Sequence, residues 1–141
     1  MRKLSPLFLA LLATTSLWAY DFQSGDLYYN ITSDSTVEVT EGNYSGEIII
    51  PETVTYNGIA YSVTSIGYGA FAYCSSLTSV TIGNSVTSIG NRAFEDCHSL
   101  VSIAIGKNLT SIGTDIFESC YSLSSIKIDN DNIYYDSREN C

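Results

Sequence analysis

From residue 63 onward, apolar and polar positions recur in a fixed register. Residues 63–85 read V-T-S-I-G-Y-G-A-F-A-Y-C-S-S-L-T-S-V-T-I-G-N-S, residues 86–108 read V-T-S-I-G-N-R-A-F-E-D-C-H-S-L-V-S-I-A-I-G-K-N, and a third copy spans 109–131. Ile66, Ile89 and Ile112 align, as do Phe71, Phe94 and Phe117, then Cys74, Cys97 and Cys120, and Leu77, Leu100 and Leu123. Self-similarity at a fixed spacing in the twenties marks a solenoid, whose units bury their apolar faces only by stacking on one another.

Each copy predicts the same elements. The spacing Leu77-x-x-Val80-x-Ile82 predicts a strand with Val80 and Ile82 turned inward and Ser79 and Thr81 outward, because alternate side chains leave a strand on opposite faces. Residues 63–66, 86–89 and 109–112 predict a second short extended segment, after which Gly67, Gly90 and Gly113 free the backbone to turn. Ala70-Phe71-x-x-Cys74 then sets Phe and Cys on one face of about a turn and a half of helix. A helix so short is marginal alone, so burial of the ring must hold it.

The preceding residues, 20–62, have a different pattern: aromatic and β-branched residues alternate with polar ones. Short strands are expected at 27–31, 36–39 and 47–50, with Asp34 and Ser35 turning the chain between the first two. Asn57-Gly58 between two alternating runs predicts a hairpin, since a type I′ turn needs positive φ at both central positions. Such a segment suits a β-rich N-terminal cap that covers the open edge of the array. Tyr28, Tyr29, Tyr44, Tyr56 and Tyr61 concentrate there, either as rings packed on a sheet with hydroxyls reaching water or as an aromatic platform for a sugar.

The run L-x-x-[VI]-x-I-G-x-x-[VL]-T-S-I-G-x-x-[AI]-F-x-x-C resembles the BspA-type leucine-rich repeats of secreted and surface proteins from anaerobic gut and oral bacteria and some parasitic protists. Residues 44–63 also resemble that family's entry segment. The resemblance implies an α/β solenoid, a short leucine-rich repeat array of parallel strands with short helices. It also implies a non-enzymatic surface protein, in some members an adhesin for host matrix proteins or other microbes. The expected organisation is a signal peptide at 1–19, the cap at 20–62, three 23-residue repeats at 63–131, and an incomplete fourth coil or polar end at 132–141. After Ile128 the V-T-S-I-G run does not return, so the chain is expected to be a fragment of a longer protein. The alternative is a natural end whose Asp and Asn residues form a polar cap.

Arg2 and Lys3, an apolar run to Ala13 and small residues up to Ala19 have the layout of a secretory signal peptide, cut after Ala19 or Ser16. The run is too short to span a bilayer, no lipid-attachment Cys follows it, and no later stretch is apolar enough to cross a membrane. The expected location is secreted or cell-surface, with the periplasm also open. Six basic residues stand against 15 acidic ones, a net charge of -9, and no Lys/Arg cluster offers a polyanion a landing strip, which disfavours nucleic acid, and none is expected as a partner.

Candidate chemistry is sparse. Cys74, Cys97 and Cys120 take one equivalent position per coil and point the same way, which favours packed free thiols over bridges. Their spacing lacks any paired-ligand pattern for a metal, and no cofactor is expected. His98 is the sole histidine; Ser75 and Tyr121 hold the same repeat position, which marks a tolerant, exposed site. Neither a phosphate loop nor an HExxH motif occurs. Asn30, Asn43 and Asn108 sit in Asn-x-Ser/Thr sequons, and Asp34-Ser35-Thr36 resembles an O-glycosylation motif of gut bacteria. The surface best placed to bind is the outer side of the repeat strands: Thr78, Ser79 and Thr81, then Val101, Ser102 and Ala104, then Ser124, Ser125 and Lys127. A flat Ser/Thr sheet suits host or microbial surface proteins or glycans better than a small molecule. Those residues equally favour strands and solubility, as a structural spacer in a larger surface protein requires.

Overall fold

The alternation in the repeats becomes two facing sheets in the computed structural model, which describes residues 19–136. The described strands are β1 (Phe22–Ser24), β2 (Leu27–Ile31), β3 (Thr36–Val39), β4 (Gly46–Ile50), β5 (Thr53–Tyr56), β6 (Ile59–Ile66), β7 (Leu77–Ile82), β8 (Ser88–Ile89), β9 (Ser102–Ile105), β10 (Ser111–Ile112) and β11 (Ser125–Ile128). The first sheet runs β1-β2-β3-β6-β8-β10, with β5 paired to β6; the second runs β11-β9-β7-β4. The second sheet is parallel throughout, and β3, β6, β8 and β10 are parallel in the first. Each crossover of one sheet is therefore a strand of the other, and the chain winds as a β-solenoid of about four coils.

Register is kept from coil to coil. Ile66 pairs with Ile89 and Ile89 with Ile112 in the first sheet, while Val80, Ile103 and Ile126 form one row of the second. The inward residues of β7 are buried and the outward ones are not. A one-residue slip would turn every inward Ile and Val out to water, so burial locks the pairing. Between the sheets the phenylalanines stack in one column: Phe71 to Phe94 at 5.0 Å and 9°, and Phe94 to Phe117 at 5.8 Å and 24°.

The segment expected as a cap contributes to both sheets. β3 pairs with β6 and β4 with β7, so β3 and β4 already follow the path of a coil. Tyr44 lies between them, tilted on Phe71 at 4.8 Å at the head of the aromatic column. Its hydroxyl donates to the Thr40 carbonyl at 2.6 Å and accepts from the Tyr28 amide at 3.2 Å, so the polar end of this buried ring is satisfied. Asn57 and Gly58 have φ of 50° and 77°, and join β5 to β6 as the expected hairpin. The antiparallel strands β1 and β2 extend the first sheet beyond β3.

One expected element is corrected: the described residues contain no helix, so the fold is a β-solenoid rather than an α/β array with short helices. Each Phe-bearing segment is a succession of tight turns instead. Gly69, Arg92 and Asp115 have φ of 59°, 58° and 56°, and Tyr73, Asp96 and Ser119 have φ of 63°, 57° and 60°. Two left-handed residues four apart interrupt any right-handed helix. The turned backbone then sends alternate N–H groups along the solenoid axis. Gly69, Phe71 and Tyr73 donate to the carbonyls of Asn91, Ala93 and Glu95, and Arg92, Phe94 and Asp96 donate to Thr114, Ile116 and Glu118. Hydrogen bonds that a helix would close within itself here join successive coils.

The repeat glycines act differently from expectation as well. Gly90 and Gly113 are absent from the positive-φ residues; they are small because neighbouring coils touch there. A Cβ on Gly90 would lie 2.8 Å from the Tyr68 nitrogen, and one on Gly113 would lie 2.6 Å from the Asn91 nitrogen.

Candidate functional site

Parallel registration of the second sheet turns the predicted outward positions into rows. Ser79, Ser102 and Ser125 are direct partners across β7, β9 and β11, and Thr81, Ala104 and Lys127 form the next row. Thr78, Val101 and Ser124 precede these strands or open them, and the amide of each later residue donates to the carbonyl of the earlier one at 2.9 Å. Thr78, Thr81, Val101, Ser124, Ser125 and Lys127 are exposed, while Ser79, Ser102 and Ala104 are half-buried. Ser79 and Thr81, Ser102 and Ala104, and Ser125 and Lys127 thus alternate with the inward residues of β7, β9 and β11, with Thr78, Val101 and Ser124 at the head of those strands.

Two members of that face were missed. Glu47 pairs with Ser79 and Ile49 with Thr81, so β4 adds a fourth strand to each row. Ile49 is 66% exposed, an uncommon place for a large aliphatic side chain on a strand whose Ile48 and Ile50 are buried. The alternation in E-I-I-I-P carries this signal, obscured by its being a run of three isoleucines. Where the strands end, Glu52, Thr81, Asn84, Ala104, Lys127 and Asp129 border a shallow groove of about 310 Å³. The face is thus flat and neutral at its centre, with a carboxylate and an aliphatic side chain at the β4 edge and charges of both signs along one margin.

The thiol ladder has a structural geometry. Cys74, Cys97 and Cys120 are free. Cys97 Sγ donates to the Phe71 carbonyl and Cys120 Sγ to the Phe94 carbonyl, both at 3.0 Å, and Cys74 Sγ donates to the Gly42 carbonyl at 3.3 Å. Each thiol thus ties its own turn to the coil before it. Hydrogen bonding to Cys120 and burial push the Cys97 thiol up, the same contact holds the less buried Cys120 thiol down, and burial raises Cys74. No group of three or more His, Cys, Asp and Glu side chains among the described residues could hold a metal ion. Cys141 and residues 1–18 of the expected signal peptide lie outside the described residues.

His98 is exposed, stacks on Tyr121 at 5.4 Å and lies 3.2 Å from Asp96 Oδ1. The described contacts thus pair it with a carboxylate and a ring on the turn side. The N-terminal tyrosines mostly pack: Tyr29, Tyr44 and Tyr61 are buried, and Tyr56 stacks on Phe22 at 4.3 Å and 6°. Exposed rings lie instead on the turns, at Tyr68, Tyr73 and Tyr121. The sequons at Asn43 and Asn108 fall on exposed residues, whereas Asn30 is half-buried.

No curated protein matches this chain. Among solved structures, it is similar to a leucine-rich repeat protein from Bacteroides ovatus, with 40% identity and a TM-score of 0.68 over 76% of this chain and 29% of that one. It is also similar to a leucine rich cell surface protein from Faecalibacterium prausnitzii, with 32% identity and a TM-score of 0.65 over 82% of this chain and 32% of that one. A leucine-rich repeat protein from Bacteroides capillosus, 27% identical with a TM-score of 0.54, matches over 77% of this chain and 97% of its own. The chain thus spans about a third of the length of the first two. The model of the BspA type leucine rich repeat region matches residues 47–141 in 6 copies, beginning on β4, where the second sheet begins. Period, column of rings and family match agree, and the chain belongs to the BspA-type leucine-rich repeat family.

Proposed function

We propose that the chain is a non-enzymatic interaction module, secreted or held at a bacterial cell surface, that engages a protein or glycan partner through the outer face of its second sheet. The observation that carries this reading is the registration of Ser79, Ser102 and Ser125 with Glu47, and of Thr81, Ala104 and Lys127 with Ile49, across four parallel strands. Short hydroxyl side chains there leave a low, even surface that a broad partner can approach closely, and exposed Ile49 and Val101 supply apolar contact within it. The Faecalibacterium relative is described as a cell surface protein, which supports the location.

The test is capture of extracellular-matrix proteins and mucins by the immobilised chain, with Ser102→Arg/Ser125→Arg as the comparison. Two arginines in the middle of the face should abolish capture while leaving the circular dichroism spectrum unchanged. Undiminished capture by the double variant removes this face as the contact surface. No capture by either protein is the result a purely structural repeat segment would give.

A further inference from the structure

The turn between β2 and β3 carries four hydroxyl side chains in Thr32-Ser33-Asp34-Ser35-Thr36, and they are not equivalent. Thr36 Oγ1 lies 2.7 Å from Thr32 Oγ1 and 2.6 Å from Ser33 Oγ, so three of these hydroxyls are committed to one another. Ser35 is exposed, and its hydroxyl has no hydrogen-bond partner among the described residues. Its backbone is held on both sides. The Ser35 amide donates to Ser33 Oγ at 3.2 Å, and the Ser35 carbonyl accepts from the Ser62 amide of β6 at 2.8 Å. The amides of Thr32 and Ser33 donate to the Thr36 carbonyl at 2.9 and 3.3 Å and close the turn. Asp34 is exposed too, and its carboxylate has no partner among the described residues. A fixed turn thus presents one uncommitted hydroxyl next to one uncommitted carboxylate.

We propose that Ser35 is an acceptor for O-linked glycosylation and takes a glycosyl group from an activated sugar diphosphate. A three-residue motif gains weight only from its structural context. Here that context is a surface turn, open to a transferase, whose acceptor hydroxyl gives up no hydrogen bond when it is substituted. In the transfer, Ser35 Oγ bonds to the anomeric carbon while the bond from that carbon to the diphosphate breaks. The electron pair leaves on the diphosphate, and the hydroxyl proton passes to a base of the transferase. Other positions match less well. Only Asp34 and Asp136 are followed by a hydroxyl residue, and Ser137 precedes Arg138 where Ser35 precedes Thr36. Of the sequons, Asn108 commits Nδ2 to the Asn84 carbonyl at 2.8 Å, and Asn30 is half-buried with Oδ1 accepting from the Asp21 amide at 3.1 Å. The turn belongs to the first sheet, so a glycan there leaves the outer face of the second uncovered. The site rests on the export proposed above.

The experiment expresses the protein in Bacteroides ovatus, once as the full chain and once with residues 1–18 replaced by a leader of known export. Chain made by cell-free synthesis gives the unmodified mass. Intact mass spectrometry of the exported protein should show added glycosyl units, and electron-transfer fragmentation should place them on Ser35. Ser35→Ala and Asp34→Ala should each remove the added mass, whereas Ser33→Ala should keep it. Ser35→Ala should melt at the same temperature as the cell-free parent, since no hydrogen bond is lost. The proposal is overturned if the chain exported behind the known leader has the bare mass, or if the added mass survives Ser35→Ala or Asp34→Ala. It is also overturned if the sugar maps to Asn43, Thr36 or Ser137. Export that fails only behind residues 1–18 removes the proposed location, and the second form then decides the fate of Ser35.

Discussion

Replacing Phe94 by alanine removes the central ring of the interior column. Phe94 is 0% exposed and has a ring on either side, Phe71 at 5.0 Å and Phe117 at 5.8 Å. Truncating a buried Phe costs ~3–5 kcal/mol, of which each ring–ring contact represents ~0.5–1.5 kcal/mol. Phe117 is only half-buried, and Phe94 is its one ring neighbour among the described contacts, so Phe117→Ala should cost about half as much. Asn91→Ala removes one exposed hydrogen bond, from the Thr114 amide to Asn91 Oδ1 at 2.9 Å, and should cost ~1 kcal/mol or less. Against the ~5–15 kcal/mol available to a whole domain, Phe94→Ala leaves a marginal protein and Asn91→Ala an ordinary one. Equilibrium urea unfolding followed by far-ultraviolet circular dichroism ranks the three variants. If Phe94→Ala is no more destabilising than Phe117→Ala, or matches Asn91→Ala, the column is not the main source of cohesion between coils.

Two further predictions concern titratable groups. Iodoacetamide should modify Cys120 well before Cys97, because the contact between them holds the Cys120 thiol down while pushing the buried Cys97 thiol up; equal labelling rates in mass spectra would contradict this. Burial raises Tyr29 to about 12 and raises Tyr44 further. The folded chain then holds phenolic protons that the unfolded chain gives up near pH 10, so stability is flat below about pH 10 and is lost as pH rises toward 12, by up to ~1.4 kcal/mol per pH unit for each group. Urea midpoints that do not move between about pH 9 and pH 11 would refute it.

Most of the architecture was legible because a stacked array repeats its errors as well as its signals. The in–out alternation of Val80-x-Ile82, the Asn57-Gly58 hairpin and the column of rings all follow from spacing alone. The missing helix was not legible, since an i, i+3 pair of Phe and Cys fits a helical turn and a chain of tight turns equally well. What decides between them is the pair of left-handed residues per coil. In the repeats only Gly69 among those six advertises positive φ; Tyr73, Arg92, Asp96, Asp115 and Ser119 do not. The stacking of coils imposes that conformation through the hydrogen bonds it gains, which no single coil's sequence displays. Glycine was misjudged for a related reason: a residue chosen for close approach and one chosen for turning look alike until the neighbour is in place. The in–out alternation was read in the repeat strands but not on β4, where a triple isoleucine hid it.

The bonds that join one coil to the next all lie along the solenoid axis, and this bears on how such a molecule would respond to force. Tension applied at its two ends would load those bonds as a zipper opened from one side, not as a seam sheared all at once. Coils would peel away singly, each 23-residue unit releasing roughly 70–80 Å of slack at ~3.3–3.6 Å per extended residue, less one strand spacing of ~4.8 Å. A protein exposed to flow would thereby lengthen in graded steps under a pull that would otherwise break its attachment.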